Sequence, residues 1–228
     1  MYLSVIIPYF NEDNIIEHNI LQIIEYFEFK FSFEIIIVND SGKKNSNLEK
    51  LNNTFNFITL INNNKNFGKG FSIRSGVLSS KSKLILITDA DMSTPIDEFE
   101  KLHKYYDDYS VIIGSRNIPE SKIGITQPFY RKISGRIYNL LTKIILNLDF
   151  HDTQCGFKLF DSKALKKIIN LSKSNRFGID LELIYFSRKN NYLIKEVGVR
   201  WDNNRFTSVS LFKDSIKMFY EIILLKFR

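Results

Sequence analysis

With 228 residues, 44% of them hydrophobic and 25% charged, the chain is too apolar for disorder and has the length of one compact domain. Its single cysteine, Cys155, excludes an internal disulfide and a zinc cluster of Cys ligands, and its three histidines show no metal-ligand spacing, so any metal is expected to take oxygen ligands. The net charge of +7 would suit nucleic acid, anionic lipid or phosphorylated substrates, but no RNA-binding signature or basic stripe with stacking aromatics accompanies it, which argues against nucleic acid.

The chain opens as MYLSVIIPYF, directly into a strand, without a charged leader. No apolar run approaches the ~18 to 20 residues of a bilayer span, so a cytoplasmic location is expected. Apolar, β-rich runs recur at Leu3 to Pro8, Glu34 to Asn39, Phe57 to Ile61, Leu84 to Thr88 and Ser110 to Gly114, with helix-length segments between them. This alternation predicts an α/β fold, a mostly parallel sheet flanked by helices. Within Asn14 to Phe29, residues Ile15, Ile16, Ile20, Ile23, Ile24 and Phe27 form a helical stripe, and Pro95 is expected to open another helix.

Leu84 to Thr88 has the composition of a fully buried strand and breaks into Asp89-Ala90-Asp91. Carboxylates just beyond a parallel strand lie where open α/β sheets bind ligands. Asp89 and Asp91 project to one side of an extended backbone and suit Mg2+ or Mn2+, which would neutralise a diphosphate. The same residues would equally serve as a polar turn before the next helix.

Beyond Arg116 the pattern changes to a loop reaching Pro128, then a helix from Phe129 to Leu148 with Ile133, Ile137, Leu140, Leu141, Ile144, Ile145 and Leu148 on one face. Ser121 to Asn147 carries Lys122, Arg131, Lys132, Arg136 and Lys143 but no acid, so the excess charge is local. Tyr192 to Trp201 reads as a late strand, and Leu211 to Phe227 as an amphipathic helix with Phe212, Ile216, Phe219, Tyr220, Ile223 and Leu224 apolar.

Three strand ends carry acids: Pro8-Tyr9-Phe10-Asn11-Glu12, Asn39-Asp40-Ser41-Gly42 and Asp89-Ala90-Asp91. Asn66-Phe67-Gly68-Lys69-Gly70 offers glycine-exposed N–H groups and an ammonium to phosphates, without the spacing of a P-loop. In this order, and with Gly114-Ser115-Arg116, these segments resemble glycosyltransferase family 2, whose fold is called GT-A. Asp152-Thr153-Gln154-Cys155-Gly156-Phe157-Lys158-Leu159-Phe160 further resembles the branch that makes polyprenyl-phosphate sugars, the dolichyl-phosphate glucosyl- and mannosyltransferases. Asn39-Asp40 replaces the family's paired aspartates, and Ser93 stands where the mannose-phosphate enzymes often carry Gln.

The resemblance implies a single domain over 1–228, with a nucleotide-sugar half at 1–118 and an acceptor half at 119–228. It implies an inverting transfer of a hexose from a nucleotide diphosphate sugar (UDP-glucose or GDP-mannose type) to a polyprenyl phosphate drawn from a membrane surface. Pro8, Tyr9, Glu12, Asp40, Lys69, Asp89 and Ala90 would bind the donor. Asp91, with Asp89, would hold Mg2+ or Mn2+, and Asp91, Asp152 and Gln154 are the catalytic candidates. Arg116 and Arg131, with Arg205 as a third, are the candidates for the acceptor phosphate, because a guanidinium binds it bidentately. The two amphipathic helices would let the protein sit on the cytoplasmic face of a membrane. Two other readings stand beside this one: transfer to a hydroxyl of a polysaccharide or glycolipid, with Asp152 as base, and a non-catalytic nucleotide-sugar-binding module, against which the intact Asp89-Ala90-Asp91 argues.

Overall fold

A computed structural model describes residues 1–125, 129–202 and 211–228, with the side chains of 130–132 and 211–218 left aside. Its centre is a seven-stranded sheet built from β1 (Leu3–Tyr9), β2 (Phe33–Asn39), β3 (Ile58–Asn62), β4 (Leu84–Ile87), β5 (Val111–Ser115), β7 (Lys158–Asp161) and β8 (Ile194–Gly198), in the order β3-β2-β1-β4-β7-β5-β8. All pairings are parallel except those of β7, which runs antiparallel between β4 and β5. A small parallel pair, β6 (Lys122–Ile123) with β9 (Arg200–Trp201), lies apart from it.

The helices are α1 (Ile16–Phe27), α2 (Ser46–Thr54), α3 (Lys69–Ser79), α4 (Phe99–His103), α5 (Phe129–Leu146), α6 (Ser162–Ile169), α7 (Ile179–Lys189) and α8 (Leu211–Lys226). Successive strand residues point to opposite faces, and the core divides accordingly. Leu3, Val5 and Ile7 of β1, with Ile35, Ile37, Leu84, Leu86 and Ile112, pack on Ile16, Ile20, Phe27, Phe99 and Leu102. Their neighbours Ile6, Ile36, Val38, Ile85, Ile87, Val111 and Ile113 pack on Ile73, Val77, Leu165, Ile168, Leu183 and Ile184. Strands covered on both faces must be apolar at every position, which is why these runs do not alternate.

The mixed α/β sheet with flanking helices agrees with the sequence reading, but several elements differ from it. β7 arises from the segment read only as a motif, because four residues that follow a loop give too short a pattern to announce a strand. Pro95 is extended and is followed by a 3-10 turn (Ile96–Glu98) before α4, not by a regular helix. The late strand is interrupted at Val199, whose buried side chain joins the core.

α5 also departs from a single core-facing stripe. Tyr138 and Leu146 are buried, and Leu141 and Ile145 pack against the core, whereas Phe129, Ile133, Ile137, Leu140 and Ile144 are 40 to 76% exposed. The helix therefore has two apolar faces. α8 packs on α5 through Phe219 against Tyr138, ring centroids 6.0 Å apart. It buries Ile222 and Leu225 while leaving Tyr220, Ile223, Leu224 and Phe227 exposed.

Candidate active site

β1, β2, β3, β4 and β5 are mutually co-directional, so their C-terminal ends share one sheet edge, and the sequence candidates gather there. After β4 the chain turns through Asp89-Ala90-Asp91, with Met92 at φ 46°. The turn is pinned from α1, where Asn19 Nδ2 donates to the Ala90 carbonyl at 2.8 Å. Ser93 caps Asp91, its backbone N–H at 3.0 Å and its hydroxyl at 2.8 Å from the two carboxylate oxygens. Burial and the charge of Asp89 push Asp91 above the usual carboxylate range.

Glu12 arrives from the end of β1, where Asn11 is left-handed at φ 65° and the Phe10 N–H donates to Glu12 Oε2 at 2.7 Å. Burial, aided by the negative charges of Asp91 and Asp89, pushes Glu12 up to about 7. The three carboxyl groups thus share one strand-end site, where burial and the neighbouring negative charges favour the protonated forms of Glu12 and Asp91. Among the described residues no group of three or more His, Cys, Asp or Glu side chains forms a metal cage. A carboxylate pair that supplies part of an oxygen shell, leaving the rest to phosphate and water, nevertheless fits the demands of Mg2+ or Mn2+.

Lys69, the first residue of α3, places its Nζ 2.8 Å from Asp89 Oδ1 and 3.0 Å from Asp180 Oδ2. Burial would lower this ammonium's pKa, but the Asp180 and Asp89 charges outweigh it and raise the value. Asp180, on α7, also meets Lys158 Nζ at 2.5 Å, and Lys158 is fully buried at the start of β7. Gly156, two residues earlier, lies against the metal candidate: a Cβ there would sit 2.0 Å from Asp89 Oδ2.

The Asn66 to Gly70 loop does not present an open N–H cradle. The Phe67 and Gly68 N–H groups donate to Asp40, at 2.9 and 2.7 Å, and Asn63 Nδ2 adds a third bond at 2.8 Å. Gly70 and Phe71 donate to the Asn175 carbonyl. Gly68, at φ 104°, and Gly70 are glycines because the 174–176 backbone passes over them: a Cβ would stand 2.2 Å from Asn175 O and 2.3 Å from Ser174 O respectively. The glycine pattern that suggested phosphate binding is thus a close-packing requirement.

Asp40 is correspondingly buried and engaged. The Tyr9 ring is buried as well, its hydroxyl donating to Asp13 at 2.5 Å and accepting from Asn45 at 3.0 Å. Any contact that Tyr9 makes with a nucleotide would therefore use its backbone. Pro8 lies beside it near the end of β1, paired with Val38.

On the acceptor side Arg116 follows β5 and forms a fork with Asp152: Nε to Oδ2 at 2.6 Å, Nη2 to Oδ1 at 2.9 Å, and its own backbone N–H to Oδ2 at 3.0 Å. The Gln154 N–H adds a fourth donor at 3.0 Å. Burial alone would raise Asp152, yet the Arg116 charge and these donors hold it below the usual carboxylate range. The Trp201 ring lies 5.5 Å from the guanidinium carbon.

The Asp152 loop is fixed by groups that the sequence did not single out. Glu196 accepts from the His151 and Asp152 N–H groups, and Asn139 donates to the His151 carbonyl at 2.6 Å. Gln154 Nε2 lies 3.4 Å from the Tyr138 hydroxyl. Arg131 lies on α5 with its side chain outside the described residues, and Arg205 lies outside them altogether. The sequence reading missed Lys158, Asp180 and Glu196 as site residues: Lys158 stood only within the Asp152–Phe160 motif, Asp180 lies in the stretch between that motif and the late strand, and Glu196 lies inside the late strand. Their signal was a charge where a buried element should have none.

The sequence profile described as Glycosyl transferase family 2 matches residues 4–169. Among individual proteins, the chain is 30% identical to a dolichyl-phosphate beta-glucosyltransferase of Dictyostelium discoideum, over 100% of this chain and 75% of the relative. It is 32% identical to one of Trichomonas vaginalis, over 89% and 66%, and 27% identical to the Homo sapiens protein of that name, over 99% and 75%. Among solved structures, the fold matches glucosyl-3-phosphoglycerate synthase from Mycobacterium tuberculosis in complex with Mn2+, UDP and phosphoglyceric acid, with a TM-score of 0.71 at 12% identity, covering 99% of this chain and 78% of that one. Mannosyl-3-phosphoglycerate synthase from Rubrobacter xylanophilus matches with a TM-score of 0.67 at 14% identity, over 99% and 72%.

Proposed function

The chain belongs to glycosyl transferase family 2, and on that premise we propose that it transfers glucose from UDP-glucose to a polyprenyl phosphate of the dolichyl type, with inversion at the anomeric carbon. The names of its relatives support the sugar and the acceptor, and UDP in the structural neighbours supports the base. The observation that carries the acceptor assignment is the state of Asp152. A general base works best with a pKa near the operating pH and a free lone pair, whereas Asp152 is held low and accepts four hydrogen bonds. A hydroxyl nucleophile would need that base; a phosphate monoester, with a second pKa of about 6, is already an anion.

In this reading Asp91 and Asp89 hold Mg2+ or Mn2+, which when bound would stabilise charge on the departing diphosphate. Lys69 adds a cation beside Asp89. Glu12, Pro8, Tyr9, Asp40 and Ala90 shape the donor pocket, Asp40 by fixing the 66–70 loop and Tyr9 through its backbone. Asp152 and Gln154 orient Arg116, and Arg116, Arg131 and Arg205 receive the acceptor phosphate.

The lipid is drawn from a bilayer on which α5 and α8 lie. Their exposed Ile133, Ile137, Leu140, Ile144, Tyr220, Ile223 and Phe227 form apolar surface, and Arg136 and Lys226 accompany it, with Lys143 and Arg228 nearby in ion pairs with Asp149 and Glu182. Apolar and basic groups together suit an anionic membrane face, here the cytoplasmic one. No helix among the described residues is long and apolar enough to cross a membrane, so these helices would lie along the surface.

The test is transfer from UDP-glucose and GDP-mannose to a short polyprenyl phosphate and to sugar alcohols, with Mg2+, Mn2+ or chelator. Transfer from UDP-glucose to the lipid phosphate, lost in chelator, is expected. Transfer to alcohols alone, or full activity in chelator, would overturn the acceptor or the metal assignment respectively.

A further inference from the structure

Among the described residues, a cation of the protein itself lies in contact with Asp89 of the carboxylate pair. Four charged groups form one chain, Lys158–Asp180–Lys69–Asp89, with successive contacts of 2.5, 3.0 and 2.8 Å. Its two ends behave differently. Lys158 is fully buried and also donates to the Cys155 carbonyl, so it cannot leave Asp180 without becoming an unpaired interior charge. Asp89 lies at the open end, its side chain 42% exposed.

Lys69 hangs between them on a fixed root. The glycines on either side of it are clasped by the 174–176 backbone, and the Gly70 N–H is bonded to the Asn175 carbonyl at 2.9 Å. Asp180 thus offers the ammonium a second, buried partner within the reach of the same side chain.

Resting on the metal-dependent reading above, we propose that Lys69 is a tethered counter-ion that competes with the divalent cation for Asp89, and that Asp180 is a positioning residue that sets how strongly it competes. While the ammonium is shared with Asp180, only part of its attraction is committed to Asp89, and a dication arriving there displaces Lys69 onto a partner already in contact. Without the Asp180 carboxylate, the ammonium would be committed to Asp89 alone. The arrangement has a consequence of opposite sign at its two members. Removing Lys69 removes a rival cation and leaves Asp180 neutralised by Lys158; removing the Asp180 charge strengthens the rival.

The experiment measures Mn2+ binding by electron paramagnetic resonance on the full chain, without nucleotide or acceptor, so its result does not depend on which sugar or lipid the enzyme uses. Lys69→Met should tighten Mn2+ binding by at least ~10-fold, since a unit charge within a few ångströms is worth that much at an effective protein dielectric. Asp180→Asn should weaken it by a similar factor. Because Asp180→Asn strands the buried Lys158, the pair Asp180→Asn with Lys158→Met is measured beside it. This pair also leaves Lys69 without its second carboxylate, so it should bind Mn2+ more weakly than wild type. A merely structural role predicts loss of affinity in every variant, so tightening by Lys69→Met is the deciding readout. Unchanged or weaker binding in Lys69→Met overturns the inference while leaving metal use intact. Because phosphate completes the oxygen shell, the series is repeated with UDP, and failure of every form, wild type included, to bind Mn2+ in both conditions overturns the metal reading beneath it.

Discussion

Replacing Asp152 with Asn keeps the shape of the side chain and removes its charge. The carboxylate is 1% exposed and accepts from Arg116 at three nitrogens and from the Gln154 N–H. An asparagine can accept at one oxygen only, and it turns an amide N–H2 toward a donor. Removing one partner of a buried ion pair costs about 3–5 kcal/mol. The Arg116 side chain keeps 23% exposure, so with solvent sharing its charge the expected loss is roughly 2–4 kcal/mol. The effect has a pH signature. The folded pKa is depressed below the unfolded value of about 3.9. The carboxylate therefore contributes its stability above that value and loses it as pH falls through the folded pKa. Urea titrations of wild type and variant should differ by a constant amount from about pH 6 to 8 and converge only in strong acid. If no proton must be removed from the acceptor, turnover on polyprenyl phosphate should fall by no more than ~10-fold, whereas loss of a true base costs ~100- to 10,000-fold. Unchanged stability together with a fall in turnover of that larger size would refute the argument and restore Asp152 as a base.

Gly156→Ala should cut turnover by ~100-fold or more, because its methyl group would displace the Asp89 carboxylate; steady-state kinetics across Mn2+ concentrations checks this, and wild-type rates would contradict it. Glu12 has a folded pKa raised to about 7, so as pH rises above about 4.5 the folded state increasingly resists ionisation that the unfolded chain accepts, and stability falls. Glu12→Gln should therefore be more stable than wild type by ~1–3 kcal/mol at pH 8 in chelator and equal to it at pH 4, as read from urea midpoints. Arg131→Ala should raise the KM for polyprenyl phosphate by ~10-fold or more while calorimetric UDP affinity stays unchanged; a matched loss of UDP binding would move Arg131 to the donor side. Ile137→Glu with Leu140→Glu, at positions half exposed to solvent, should abolish flotation with anionic vesicles while leaving the melting temperature within a few degrees.

The sequence by itself determined the parallel α/β alternation and the acidic strand ends, because burial on both faces demands unbroken apolar runs and the carboxylates stand immediately after them. It also marked Asp89, Asp91, Arg116 and Asp152 as candidates, since each lies in a short motif that is unbroken in the chain. Only the tertiary structure decided which charges touch. Asp180 reaches Lys69 from a distant helix, and β7, inserted antiparallel between β4 and β5, brings Lys158 to Asp180 while the loop before it sets Gly156 against Asp89. Local periodicity reports the face of an element, not the neighbour that face will meet. The 66–70 loop accordingly reads as a phosphate cradle in sequence, while in the structure the Asp40 carboxylate and the Asn175 carbonyl occupy the Phe67, Gly68 and Gly70 N–H groups. The same limit applies to α5. Its apolar residues are evident in the sequence, but which of them are buried depends on where α8 and the sheet lie, and that placement leaves Ile133, Ile137, Leu140 and Ile144 facing outward.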